Sequence, residues 1–226
     1  MKPNPLIVAA DVSDVDAAER LAKELATSVA MIKVGLELFC AAGPEAVRRV
    51  RSHAPVFLDL KLHDIPTTAG RAARQAGKLG VSLLTVHALG GPDMMLAAVE
   101  GANEGAAEVG VRAPQVIAVT ILSSLAEAAG ASPASLAFEA ITAGAAGAVV
   151  SGEDVKDVRE ALGEDLVLVI PGIRPSGQDS NDHVRVLTPG EALEAGATYI
   201  VVGRPITQSP DPAAAADSIL REIGVR

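Results

Sequence analysis

Apolar residues in this chain come in short, unbroken runs rather than in the strict alternation of a half-exposed sheet. They are LIVAA (6–10), MIKV (31–34), VFLDL (56–60), LLTVH (83–87), VIAVT (116–120), GAVVS (147–151), LVLVI (166–170) and YIVVG (199–203). Between them lie stretches rich in Ala, Glu and Arg with apolar positions at helical spacing, such as VDAAERLAKELA after Asp14 and GPEAVRRVRSHA after Ala42. Continuous apolar strands alternating with helices signify parallel strands buried on both faces. Repeated along the chain with no low-complexity linker, these units predict an α/β protein, a (β/α)8 TIM barrel forming a single domain over residues 1–226. The alternative is an open doubly wound sheet. That architecture would favour a glycine-rich dinucleotide fingerprint after the first strand, where AADVSD stands instead.

A barrel also predicts where chemistry sits, because such active sites are built at the C-terminal ends of the strands and in the loops beyond them. Asp11 ends the first run, Lys33 lies within the second, and Asp59 and Lys61 end the third. His87 ends the fourth, Ser123 follows the fifth and Arg204 follows the eighth. Any one of these alone reads as a solvated strand end or a local salt bridge. Their shared position predicts convergence on one mouth. Asp59 and Lys61 are two apart, so both face the barrel interior while Leu58, Leu60 and Leu62 pack toward the helices. Buried charges there must be paired with one another and with Lys33. Asp64 falls past the strand, in a turn that Pro66 is expected to keep from running on as strand or helix. There it is free to reach another strand end or another subunit.

Asp59 and Asp64 invite a metal reading, and Lys61 argues against it. An ammonium about 4 Å from a cation repels it by roughly 4 kcal/mol at an effective dielectric of 20. The expectation is therefore no metal. A lysine held between carboxylates suits a reaction in which it stabilises a developing negative charge and then donates its proton, as in one that passes through a carbanion. In VVGRPI (201–206), Gly203 lets backbone N–H groups approach a phosphate and Arg204 can grip it, although a Gly-Arg turn alone is a common feature. The segment PGIRPSGQDSNDHVR (171–185) is too rich in Pro, Gly, Ser, Asn and Asp for a helix and is long for a βα connection. It reads either as a surface loop or as a lid over residues 173–185 whose Arg174 joins Arg204.

Composition narrows the partners. A formal charge of -9 with 2% aromatic residues argues against a general nucleic-acid binder and leaves room for a small anionic ligand. The N-terminal apolar run is too short for a signal peptide and no stretch is long enough to span a membrane, so no membrane partner is expected. The lone cysteine, Cys40, allows no disulfide within the chain and suits a cytoplasmic setting.

Over essentially its whole length the chain resembles the orotidine 5′-monophosphate decarboxylases of bacteria. The resemblance is carried by AAD ending at Asp11, IKVG with Lys33, DLKLHDIPTT (59–68), VTILSS (119–124), PGIR (171–174) and VGRPIT (202–207). DLKLHDIP is its most specific part. The bare Asp-x-Lys-x-x-Asp core is shared with metal-dependent phosphosugar decarboxylases and hexulose-phosphate synthases. The resemblance implies cofactor-independent decarboxylation of orotidine 5′-monophosphate to UMP, the last step of de novo pyrimidine biosynthesis, by a homodimer with shared active sites. It implies that Lys61 is the proton donor, that Asp59 presses on the substrate carboxylate, that Lys33 ties Asp59 into the charge network and touches the ribose, and that Asp11 binds ribose hydroxyls. Asp64, with Ile65 and Thr68, would serve the neighbouring subunit's site. Ser123 would bond the pyrimidine, Pro171 would line its pocket, and Arg174, Gly203 and Arg204 would hold the phosphate. Two positions depart from the pattern: His183 stands where a lid Gln is usual, which makes it a candidate phosphate ligand, and Thr67 stands where Asn is common. His63 would contact the site or brace Asp64, while His53 and His87 read as structural. The competing readings are a metal-dependent phosphosugar decarboxylase or aldolase on the same barrel, and a catalytically silent barrel that senses a nucleotide.

Overall fold

The structure is a computed structural model that describes residues 3–121, 131–175 and 187–225. Its strands are β1 (Leu6–Ala9), β2 (Met31–Gly35), β3 (Val56–Leu62), β4 (Leu83–His87), β5 (Gln115–Val119), β6 (Gly147–Val149), β7 (Val167–Ile170) and β8 (Tyr199–Val202). They pair in sequence order, all in parallel, and β8 returns to β1 to close the barrel. The helices are α1 (Val15–Leu25), α2 (Leu36–Ala42), α3 (Pro44–Arg51), α4 (Pro66–Lys78), α5 (Pro92–Val109), α6 (Pro133–Thr142), α7 (Val155–Leu162), α8 (Pro189–Glu194), α9 (Arg204–Thr207) and α10 (Pro212–Glu222). No helix among the described residues is long and apolar enough to cross a membrane.

The unbroken apolar runs have their cause in two separate cores. Ile7, Met31, Phe57, Leu83, Ile117, Val169 and Val201 fill the barrel interior. Their neighbours Leu6, Val8, Ile32, Leu58, Leu84 and Leu168 point the other way and pack beneath the helices. Both faces of each strand thus leave water, and the period-2 polarity signal disappears. The interior is a packed apolar core below the C-terminal mouth, where the charged groups of β2 and β3 lie.

Helix starts follow local chemistry. Asp14 caps α1 by accepting from the amides of Asp16 and Ala17, and Thr188 and Glu191 form a reciprocal capping box at α8. One feature adds to the sequence-based expectation and a second corrects it. The segment Leu36–Ala42 is a helix of its own, and Gly43, at φ +60°, separates it from α3. Pro66 does not keep the chain from becoming helical; it opens α4, because the first helical position needs no N–H donor and favours the fixed φ of proline.

The α4–α5 pair packs by close backbone approach. A Cβ on Gly105 would lie 1.9 Å from the Arg74 carbonyl oxygen, one on Gly101 2.2 Å from that of Gly70, and one on Gly77 2.3 Å from that of Ala102. These neighbours are backbone atoms and cannot turn aside. We predict that Gly101→Ala lowers the unfolding free energy by about 1–3 kcal/mol through overpacking. Gly190→Ala, with nothing within 4 Å of its Cβ, should leave the urea midpoint nearly unchanged; equal midpoints for both variants would contradict the close-packing account.

Candidate active site

The third strand is interrupted where its charges begin. Leu58 pairs with Leu84 and Leu62 with Val86, so Asp59, Leu60 and Lys61 stand opposite Thr85 alone. Such a bulge re-aims side chains at the rim of a barrel. Lys61 carries the strain, with φ at 49°, and among the described residues it is the one non-glycine with positive φ. That conformation costs roughly 1–2 kcal/mol for a residue with a Cβ. The interactions that offset it are local. The Lys61 amide donates to Thr85 Oγ1 at 2.9 Å, Thr85 Oγ1 donates to Asp59 Oδ1 at 2.9 Å, and Lys61 Nζ lies 2.8 and 2.9 Å from the two Asp59 oxygens.

Charges of alternating sign extend this arrangement across neighbouring strands. Lys33 Nζ, from β2, is 3.7 Å from Asp59 Oδ2 and 2.9 Å from Asp11 Oδ1, beyond the end of β1. Asp59 is only 9% exposed, so its carboxylate depends on these partners for the solvation that water would otherwise supply. The sequence-based expectation that Asp59, Lys61 and Lys33 pair with one another is met.

Asp11, Lys33, Asp59 and Lys61 line one side of a cavity of about 320 Å³ at the C-terminal mouth of the barrel, and Pro171, Arg174, Gly203 and Arg204 also line it. Phe57, Val169 and Val201 form its apolar floor, continuous with the inner core. Arg174 is buried, its Nη1 donates to the Ile173 carbonyl, and its backbone N–H donates to the Leu187 carbonyl. A cavity with an apolar floor, a charged string and arginines at its rim can hold a small molecule that carries both an apolar part and an anionic group.

Three expected residues are not brought into this cavity. Asp64, Ile65 and Thr68 are exposed outside it, and Asp64 Oδ1 accepts from the Ile65 amide at 2.7 Å. Ser123 and His183 lie outside the described residues, as does most of the proposed lid. His53 is 3.4 Å from Glu19 on α1, remote from the strand ends that form the cavity. His87 is buried, and the ring of His63 stacks on it with centroids 5.1 Å apart. Burial, then the nearby His63 and Lys61, hold the His87 imidazole below its ordinary range.

Thr85 is the residue that sequence reasoning missed. It is fully buried and joins the Lys61 backbone to the Asp59 carboxylate. The available signal was a hydroxyl inside the apolar run LLTVH, two places before the strand ends.

Comparison with known proteins gives this geometry a context. The family model described as "Orotidine 5'-phosphate decarboxylase / HUMPS family" matches residues 4–219. The orotidine 5′-phosphate decarboxylase of Anaeromyxobacter dehalogenans is 50% identical over 97% of this chain and 98% of its own. That of Moorella thermoacetica is 47% identical over 96% of this chain and 91% of its own. Among solved structures, the orotidine 5′-phosphate decarboxylase of Lactobacillus acidophilus superposes with a TM-score of 0.84 at 37% identity, covering 98% of this chain and 99% of that one. With a family model that spans nearly all of its length and relatives of this identity, the chain belongs to the orotidine 5′-phosphate decarboxylase / HUMPS family.

Proposed function

We infer that the chain decarboxylates orotidine 5′-monophosphate to UMP, the closing step of de novo pyrimidine synthesis, without a cofactor. The observation that carries the reading is the Asp11–Lys33–Asp59–Lys61 string at the cavity wall, in a chain whose relatives bear that activity in their names. In this reading the phosphate lies against Arg174, Gly203 and Arg204, and the ribose hydroxyls meet Asp11 and Lys33. The pyrimidine, with Ser123 and Pro171 about it, points its C6 carboxylate at Asp59. Carbon dioxide leaves with cleavage of the C6–carboxylate bond, and the electron pair stays on C6. Lys61 Nζ, already beside that position, stabilises the pair and passes a proton to it, which leaves the lysine neutral. A single ion contact at about 4 Å contributes roughly 4 kcal/mol at an effective dielectric of 20. The charge string therefore accounts for only part of any large rate enhancement; fixed placement of the substrate between phosphate and carboxylate grips must supply much of the rest.

Ultraviolet monitoring of orotidine monophosphate with purified protein and EDTA tests the reading. The orotate chromophore should disappear at the same rate with and without chelator. Loss of activity under EDTA would favour the metal-dependent phosphosugar chemistry of the wider family, and no turnover at all would favour a silent barrel.

Lys61→Ala should reduce kcat by several powers of ten while the chain still folds. Because Lys61 sits at positive φ, Lys61→Gly should be the more stable of the two by about 1 kcal/mol. Near-normal turnover in either variant would remove Lys61 from the chemistry, and equal melting temperatures would remove the strain.

The active form in this proposal is a homodimer. Leu36, Ile65 and Leu89 are large apolar side chains exposed just past the ends of β2, β3 and β4, with Leu96 on α5, and Asp64 stands among these strand ends. Ile65 is 66% exposed in the single chain. A second copy that covers this surface would receive Asp64, Ile65 and Thr68 at its own cavity. His183, within the lid, would add a phosphate contact on closure, and the single domain and cytoplasmic setting expected from the sequence belong to the same proposal. Mixing Lys61→Ala with Asp64→Ala chains should restore up to about a quarter of the wild-type rate, since half of the randomly paired dimers would carry one intact composite site. No recovery after verified subunit exchange would place Asp64 outside the partner's site.

A further inference from the structure

The bulge that carries Lys61 is held at both ends. Below it, Leu58 pairs with Leu84; above it, pairing resumes with Leu62 opposite Val86. The next residues along, His63 and His87, stack with ring planes 24° apart. His87 ends β4 and is buried, and its Nδ1 has no hydrogen-bond partner among the described residues. Gly90 also lies close to this ring: a Cβ there would be 3.3 Å from His63 Cδ2. His63 is exposed as a residue, but its ring thus has His87 against it and Gly90 close by.

We propose that His63 is a positioning residue, whose stack on His87 closes the upper end of the bulge and thereby holds Lys61 in its left-handed conformation with Nζ on Asp59. The physical need is specific. A strained backbone persists only where its surroundings over-determine it. The hydrogen bonds of Thr85 hold the middle of the bulge, but they leave its upper end to one strand pair and this ring contact. The imidazole of His87 gains little from its orphan nitrogen, so its contribution to the stack is its planar face. Burial, the first cause that holds the His87 imidazole below its ordinary range, accords with that role. His63 also immediately precedes Asp64. One ring thus sets the exit of the strand for Lys61 and the start of the turn that carries Asp64.

The proposal rests on the assignment of Lys61 as proton donor, and the test separates the two. His63→Gln, which keeps polarity and approximate volume without a ring, should lower kcat for orotidine monophosphate by about ten- to a hundredfold, the scale of a 1 Å misplacement, with a much smaller change in KM. His63→Phe, which keeps the ring and removes the nitrogens, should recover kcat to within a few fold of wild type. An unchanged kcat in His63→Gln overturns the proposal, and so does a His63→Phe enzyme as slow as His63→Gln, since the nitrogens and not the stack would then matter. A crystal structure of His63→Gln gives a readout independent of activity: Lys61 should leave positive φ or its contact with Asp59, and an unmoved Lys61 overturns the proposal. Loss of turnover in Lys61→Ala in the same assay checks the assignment on which it rests.

Discussion

The structure turns on one carboxylate. Asp59 is nearly withdrawn from water and is approached by Lys61, Lys33 and the hydroxyl of Thr85, each from a different point on three adjacent strands. Removing such a group from solvent costs several kcal/mol unless its partners replace the lost hydration with good geometry. The surrounding architecture supplies that geometry. The closed barrel fixes the spacing of β2, β3 and β4, and the bulge in β3 lets Lys61 fold back to the same carboxylate that its own strand carries. The cost is then concentrated in one strained residue, which is also the residue assigned to the chemistry.

The rest of the fold isolates this costly arrangement. The lower barrel is filled by aliphatic side chains and Phe57, so the charges have no polar route into the core. Outside, α4 and α5 pack through glycines against backbone carbonyls, beside the strands that carry Asp59, Lys61 and Thr85. Close packing of this kind transmits little slack. Rigidity behind the site suits a reaction in which a proton donor and a departing carboxylate must be kept in register rather than brought together at each turnover.

The polar groups of the mouth fall into two sets by strand. The ends of β1 to β3 hold the charge string and, beyond β3, the turn with Asp64; the ends of β7 and β8 hold Pro171, Arg174, Gly203 and Arg204. The two sets meet where β8 pairs with β1, so that Gly203 lies close to Asp11 on one continuous rim. The exposed apolar residues past β2, β3 and β4 lie beside the first set, where the proposed partner subunit would take up Asp64.

Much of this was legible in the chain itself. The unbroken apolar runs foretold parallel strands buried on both faces. The recurrence of Asp11, Lys33, Asp59, Lys61 and Arg204 at run ends foretold one mouth, because in a barrel strand direction alone decides which ends meet. The pairing of Asp59 with Lys61 and Lys33 also followed, since buried charges must be compensated. Other features were decided only by tertiary structure. Thr85 looked like one polar residue in a buried strand, and its role exists only because β3 bulges opposite it. The left-handed turn at Lys61 carries no glycine or asparagine to announce it, for it is imposed by neighbours rather than preferred by the residue. The His63–His87 stack joins residues distant along the chain, and nothing local distinguishes His63 from an ordinary strand-end histidine. The sequence by itself determined which groups are buried and at which end of the strands they lie, because burial and strand direction are written in composition and order. The register between strands decided which of them touch, because a bulge shifts every contact beyond it without changing any local preference.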